Sequence, residues 1–514
     1  MNAVRLNDVR EHESYADRLP VKRWEQIDWT CAEAFVNRLQ LRIVKAVEKE
    51  NWNLVKRLQY LLVHSFYAKA MAVKRVTSNK GHKTPGVDGV TWEKSVQKLE
   101  SVYGLNQKRY QTSPLKRVYI EKFGKKEKRP LSIPTMNDRA MQALYLMALE
   151  PIAETTADVV SFGFRKYRST HDAMKHIHNL LARGNAPIWV IEGDIKACFD
   201  KISHEWLSDN IPMDKNMLRK FLKAGFVYNK ELFPTEVGAP QGGIISPTLA
   251  NMTLDGMEDI LATKYWPMGR TRKDQKDHKR NGVNLIRFAD DFIITAKDKE
   301  TAEDIIEVIR EYLALRGLTL SPEKTKITTV HEGFDFLGWN FRKYNNKLIV
   351  KPSAKSIHKV VTTLSNEIKN RKSDTQTVLI QRLNQIITGW ANYHQAACAK
   401  QTFGNLDYVV WEMLSKWTKR RHRNKSKDWI VHNYWHQVGT RNWVFKTEDA
   451  TLVIAQDTPI VRHISLKLDK NPFLDKGFFE ERKARQRTKR AIAWKNKSAA
   501  HLLMMGSGRL SGVQ

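Results

Sequence analysis

The sequence is poor in cysteine. Its three, Cys31, Cys198 and Cys398, lie far apart and form no CxxC pair. Neither a zinc ribbon nor a disulfide framework is indicated, and a reducing, cytoplasmic setting is the expectation. Long apolar runs are missing as well. Nothing approaches the roughly 20 residues that span a bilayer, so no membrane partner is expected. The stretch from Met1 to Asp17 mixes acids and bases around no apolar centre, which argues against a signal peptide. Acidic charge is scarce beside basic: 55 Asp and Glu against 87 Lys and Arg, a formal net charge of +32. A surplus of that size strains a compact free protein and points to a polyanionic partner, of which nucleic acid is the usual one. Hydrophobic residues make up 41% of the 514, enough for sizeable cores, and the length suggests roughly three domains.

The chain also lacks a Walker loop. Lys80-Gly-His-Lys-Thr-Pro-Gly-Val-Asp-Gly89 is dense in turn formers, but the Gly-Lys-Ser/Thr ending is absent, so the stretch is a boundary and not a phosphate cradle. Before it, residues 24–77 carry apolar positions at three- and four-residue spacing and are predicted helical, with basic residues on the other faces.

What is present centres on Leu285-Ile-Arg-Phe-Ala-Asp-Asp-Phe-Ile-Ile-Thr-Ala296. Two apolar runs flanking an acidic pair read as two short buried strands with Asp290 and Asp291 at the turn. Adjacent carboxylates repel, and a Mg2+ ion, which prefers carboxylate oxygens, would offset that; an ordinary polar turn is the plain alternative. Upstream, Trp189-Val-Ile-Glu-Gly-Asp194 is a strand that delivers Asp194 to its end, where it serves as a metal ligand or as the cap of the helix that follows. In an antiparallel sheet the two segments can bring Asp194 next to Asp290 and Asp291, and three converging carboxylates would make a two-metal site acting on a triphosphate.

Other stretches fit around this group. Val118 to Pro134 is a hairpin tipped with Lys122, Lys125, Lys126, Lys128 and Arg129, a natural triphosphate clamp or else an edge hairpin protected by lysine. Gly238 to Pro247 is a Gly/Pro-rich turn that lets a ligand approach the backbone. Lys419-Arg-Arg-His-Arg-Asn-Lys-Ser-Lys427 is a basic run, containing Lys419, Arg420, Arg421 and Arg423, among Trp417, Trp429, Tyr434 and Trp435. That combination suits phosphate contact with base stacking, a solvated charged face being the alternative. The expected fold class is α+β with an antiparallel sheet.

These residues resemble the group II intron-encoded reverse transcriptases, or maturases. The likeness rests on eight blocks in order: Lys83-Thr-Pro-Gly-Val-Asp-Gly89, Arg129-Pro-Leu-Ser-Ile-Pro134, Ser161-Phe-Gly-Phe-Arg165, Asp194-Ile-Lys-Ala-Cys-Phe199, Pro240-Gln-Gly-Gly243, Phe288-Ala-Asp-Asp291, Leu320 to Thr325, and Phe336-Leu-Gly-Trp339. The resemblance implies a right-hand polymerase of fingers, palm and thumb. It divides the chain into an N-terminal helical extension (1–80), fingers and palm (81–350), a thumb or maturase domain (351–415) and a basic DNA-binding-like region (416–514).

It further implies two Mg2+ ions, with Mn2+ able to substitute, on Asp194, Asp290, Asp291 and the Ile195 carbonyl. It implies dNTP contacts by Lys122, Arg129, Phe199, Gln241 and Lys324. Phe199 would fill the space of a ribose 2′-hydroxyl, and Lys324 would donate a proton to pyrophosphate. Phe336, Leu337, Gly338 and Trp339 match a primer grip. Phe288 stands where the family usually has Tyr. The implied partners are intron RNA, an RNA template, a DNA target and primer, and dNTPs, within a cytoplasmic, nucleoid-associated ribonucleoprotein. The implied function is RNA-directed DNA synthesis together with intron splicing and mobility. A domesticated enzyme of DNA repair or defence, or a pure RNA-binding splicing factor, is the alternative. Relatives often end in an HNH nuclease with paired cysteines; residues 475–514 hold no cysteine, so none is expected, and a primer from elsewhere, such as a nascent strand, would be needed.

Overall fold

The structure, a computed structural model, describes residues 21–121, 123–124, 127–266, 282–439 and 441–507, with side chains to 496. Helices Trp29–Glu48, Trp52–His64 and Phe66–Ser78 fill the region of helical spacing, each begun by a side-chain cap from Asp28, Asn51 and Ser65. Their apolar stripes pack on helix Met136–Thr156, which is buried on nearly every face and forms the spine of the largest core. Arg139 on that helix donates to the carbonyls of Pro134, Gly81 and Thr84, and so fastens the Lys80–Gly89 turn to the spine.

The fingers carry β1 (Leu115–Glu121) and β2 (Lys128–Ile133), an antiparallel hairpin. Lys122, Lys125 and Lys126 at its tip lie outside the described residues. The palm follows with β3 (Trp189–Asp194). Two short strands, β4 (Phe226–Tyr228) and β5 (Glu231–Phe233), join the fingers sheet in the order β2-β1-β4-β5. Then come β6 (Asn284–Phe288), β7 (Asp291–Ala296) and β8 (Lys326–Thr329). The palm sheet runs β6-β7-β3-β8, every pair antiparallel. Side chains alternate across it. Ile191, Leu285, Phe292 and Ile294 enter the main core, while Val190, Ile286 and Ile293 enter a second core shared with Phe162 and Trp339.

A three-stranded sheet in the order β11-β10-β9 follows, built from β9 (Phe334–Phe336), β10 (Trp339–Tyr344) and β11 (Lys347–Pro352). The thumb is helical: Ala354–Asn370, Gln376–His394, Lys400–Arg421 and Lys427–Tyr434. The hairpin of β12 (Trp435–Val438) and β13 (Arg441–Phe445) completes it.

The boundary expected at 415/416 falls inside helix Lys400–Arg421. Trp417, Ile430, Trp435, Phe445 and Ala455 join Leu379, Leu383 and Phe403 in one apolar cluster, so the thumb core continues to about residue 455. Burial of these aromatics, unreadable from a run of basic residues, is the reason. From there the chain returns to the palm. It ends in helix Lys476–Ser507, whose buried Phe479 stacks on Tyr167 with ring centroids 5.0 Å apart.

Candidate active site

The palm sheet sets the site by register. Asp194, the last residue of β3, pairs directly with Asp291, the first of β7. Phe288 pairs with Asp291 across the adjacent hairpin, so Ala289 and Asp290 make a two-residue turn, with Ala289 in the left-handed region at φ 58°. Asp194 and the Asp290–Asp291 pair therefore lie at the same end of the sheet, although almost 100 residues separate them in sequence.

The turn is held from beneath. Arg287, fully buried on β6, donates to the Ala289 carbonyl at 3.3 Å, to Asn251 Oδ1 at 3.2 Å and to Asp255 Oδ1 at 2.5 Å. Asn251 in turn donates to the Gly163 carbonyl at 2.7 Å. The strip Val160–Phe162 hydrogen-bonds along β6, which brings Gly163 against the turn; a Cβ there would collide with the Ala289 amide. Only glycine permits that approach.

Burial and mutual repulsion govern the acids' protonation. Burial, then the charge of Asp194, raises the Asp290 pKa, partly offset by Arg129 and Lys324. Burial, then Asp290 and Asp194, push Asp291 up to about 6, although its side chain keeps solvent contact. Lys324 Nζ lies 2.5 Å from Asp194 Oδ2, and that bond raises its own pKa. Among the described residues no group of three or more Asp, Glu, His or Cys side chains is arranged so that it could hold a metal ion as it stands. The carboxylates still suit a hard divalent cation in their chemistry: Asp194 and Asp291 are neighbours across the sheet, the acids repel one another, and one exposed lysine partly neutralises them. Backbone bonds beside Asp194 join Lys196 N to Thr319 O and Ser321 N to Asp194 O, and neither uses the Ile195 carbonyl.

Other predicted residues lie where the fingers strand meets the palm. Phe199 sits on the short helix Cys198–Lys201, edge-on to Phe164 at 6.3 Å. The Phe199 carbonyl accepts from Ala239 N, which seats the Gly/Pro-rich turn. Gln241 reaches Asp200, and its carbonyl accepts from Ser132 N at 2.6 Å, fixing the fingers strand β2 to that turn. Gly242, at φ +115°, has no room for a Cβ against the Ser132 carbonyl. Arg129, on the same strand, is close enough for its charge to act on Asp290. Lys122 lies outside the described residues.

The Phe336–Trp339 turn is less exposed than a grip on a primer suggests. Phe336 and Trp339 are buried, and Trp339 stacks on Tyr393 of the thumb with centroids 4.5 Å apart. The Leu337 carbonyl accepts from Tyr393 Oη and the Gly338 carbonyl from Ser353 N. The two buried side chains join palm to thumb.

In the basic run, Lys419, Arg420 and Arg423 are exposed, whereas Arg421 donates to the Lys372 and Asp374 carbonyls. Trp417 and Trp435 are core residues, unavailable for stacking. Sequence reasoning missed Arg287, Asp255 and Asn251. The one visible signal was an arginine inside an otherwise apolar strand.

Residues 120–341 match the family described as reverse transcriptase (RNA-dependent DNA polymerase). Residues 24–105 match the N-terminal domain of reverse transcriptase, and residues 357–435 the group II intron maturase-specific domain. The chain is 33% identical to protein YkfC of Escherichia coli over 356 residues, 61% of this chain and 88% of that protein. It is 31% identical over 343 residues to the group II intron-encoded protein LtrA of Lactococcus lactis, covering 55% of this chain and 56% of LtrA; it thus spans about half the length of that relative. A solved telomerase from Candida albicans aligns over 63% of this chain and 65% of its own at 12% identity, with a TM-score of 0.35. With an N-terminal helical region, a polymerase palm and a maturase domain in this order, the chain belongs to the group II intron-encoded reverse transcriptases, a family of RNA-directed DNA polymerases.

Proposed function

We propose that this chain extends a DNA primer on an RNA template through a two-metal site, and that it clamps a structured intron RNA to assist splicing and mobility. The observation that carries the first part is the register pairing of Asp194 with Asp291, with Asp290 at the turn between strands. Asp194, Asp290 and Asp291, with the Ile195 carbonyl, would hold two Mg2+ ions. Bound there, the ions supply activation of a 3′-hydroxyl and stabilisation of the departing charge.

The chain's own residues do the rest. Arg129 and the fingers strand, fixed to Gln241, orient the triphosphate. Phe199, braced by Phe164, fills the space that a 2′-hydroxyl would occupy. Lys324, paired with Asp194, is the ammonium group placed to protonate the leaving pyrophosphate. Lys419, Arg420 and Arg423, together with the +32 charge, support RNA binding by the thumb. No helix among the described residues is long and apolar enough to cross a membrane.

Primer extension on an RNA template, wild type against Asp290→Asn, tests the polymerase reading. The expected result is a loss of at least about a thousandfold, since transition-state charge stabilisation of this kind is worth several kcal/mol. Intron RNA binding should survive the substitution and weaken steeply with salt. Equal synthesis by both proteins overturns the reading.

A further inference from the structure

The outer face of the thumb holds a pocket that the polymerase chemistry does not use. It encloses about 280 Å3 between helices Lys400–Arg421 and Lys427–Tyr434. Its walls include the indoles of Trp411 and Trp443 and the side chain of Ile430, and Lys416, Lys419 and Lys427 also line it. Trp435 at its floor is buried and belongs to the core. Trp411 and Trp443 do not: they are 37% and 50% exposed. Trp443 is also held at φ 65°, a left-handed conformation that costs a bulky residue about 1–2 kcal/mol. The fold keeps that indole at the surface although the core gains little from it.

One helical turn before Trp411, Tyr408 is 60% exposed and stacks on it, with centroids 6.1 Å apart at 26°. Tyr408 and Trp411 thus lead into the pocket, and Trp443 faces it. The charge around the pocket is one-sided. From Lys416 to Lys427 there are seven Lys or Arg and no acid before Asp428, and Glu412 is the one carboxylate among the described residues of the pocket wall. A protein partner's apolar side chain would need no such surplus. Flat aromatic faces ringed by lysines match a nucleobase with its flanking phosphates. A base inside a duplex is covered on both faces by its neighbours, so the ligand must be unpaired.

We infer that the Trp411–Trp443 pocket binds an unpaired nucleotide of a single-stranded RNA segment, with neighbouring bases stacking along Tyr408 and phosphates held by Lys416, Lys419 and Lys427. The inference deepens the RNA-binding reading above and rests on it. It is independent of the catalytic acids.

The test uses the full chain with its palm cleft already filled by a hairpin primer–template. A short single-stranded RNA bearing 5-iodouracil is photocrosslinked, and its affinity is measured by fluorescence anisotropy beside a blunt duplex of the same sequence. The crosslink is expected on the peptides carrying Trp411 or Trp443. Trp443→Ala and Trp411→Ala should each weaken single-strand binding about tenfold, the range set by stacking of one base. Trp443→Phe should retain most of it. Duplex binding and primer extension on a short template should not change in any of these variants. Replacing Lys416, Lys419 and Lys427 with Gln should lower the salt slope by about 2. Single-strand affinity equal to wild type in both Trp→Ala variants, or crosslinks confined to other surfaces, overturns the pocket. Because Asp290→Asn removes primer extension but leaves the single-strand affinity and the crosslink untouched, failure of the polymerase reading shows separately.

Discussion

The carboxylate of Asp172 is gripped by Arg482, 310 residues further along the chain. His463 Nε2 lies 2.9 Å from the same oxygen, and Arg482 also donates to the Ile464 carbonyl at 2.6 Å. The other Asp172 oxygen accepts from Ser169 N and Oγ at the start of helix Thr170–Leu181. Burial alone would raise the Asp172 pKa; the His463 hydrogen bond and the Arg482 charge outweigh it and leave the pKa lowered. One acid thus both caps a palm helix and anchors the strap that returns from the thumb. The thumb is thus joined to the palm at Tyr393–Leu337, and the strap that follows it is joined at this clamp.

Removing one partner of a buried ion pair leaves the other charge uncompensated. Arg482→Ala should therefore cost about 3 kcal/mol and release the C-terminal strap. Urea denaturation gives the energy, and limited proteolysis should cut residues 456–475 faster in the variant. Unchanged cleavage would show that Phe479 and Tyr167 hold the strap without the ion pair.

Arg287 is expected to act as a positioning residue. Burial raises the Asp255 pKa to about 6 even with Arg287 beside it, so Arg287→Met should strand that carboxyl and favour its protonated form. The single substitution should destabilise by about 3–5 kcal/mol. Asp255→Asn in the same background should recover part of that loss, giving a coupling energy above ~1 kcal/mol in a double-mutant cycle. Primer extension should fall in Arg287→Met, because the Ala289 carbonyl loses its donor. It should fall in kcat more than in KM for dNTP if the turn alone is disturbed.

His394 predicts a pH dependence at the palm–thumb joint. It is fully buried, edge-on to Trp339 and Tyr393, beside Trp390, and 2.9 Å from Ser356 Oγ. Burial, then the nearby His171, holds its pKa down to about 3. Above pH 6.5 the imidazole is neutral in both states and contributes nothing. As pH falls below 6.5, the unfolded chain takes up a proton that the folded chain refuses, so stability is lost progressively toward pH 3. Between pH 6.5 and 5 the loss from this one site should be about 2 kcal/mol. Denaturation midpoints for wild type and His394→Leu at pH 7.5 and 5 isolate it from the other titrating groups. The variant should show the shallower pH response.

The acidic hairpin, the strand carrying Asp194 and the helix periodicities were legible because each is local. Strand alternation and turn chemistry are written in neighbouring residues, so Asp290 and Asp291 declared themselves at a turn and Asp194 at a strand end. Lys324 and Gln241 were placed by resemblance alone, and only the folded sheet brought them to Asp194 and Ser132.

Other features had no local signature. A tryptophan in a basic run reads the same whether it faces solvent or core. The burial of Trp417 and Trp435 and the exposure of Trp411 and Trp443 depend on where distant helices pack. Pairings such as Asp172 with Arg482 bring together residues whose sequence separation carries no pattern. The sequence by itself determined the elements, the charge and the acids proposed for catalysis, because those follow from short-range periodicity and side-chain chemistry. Tertiary structure decided which aromatics remain free, how the thumb is moored and what supports the acidic turn, because burial and long-range contact exist only once the chain has closed on itself.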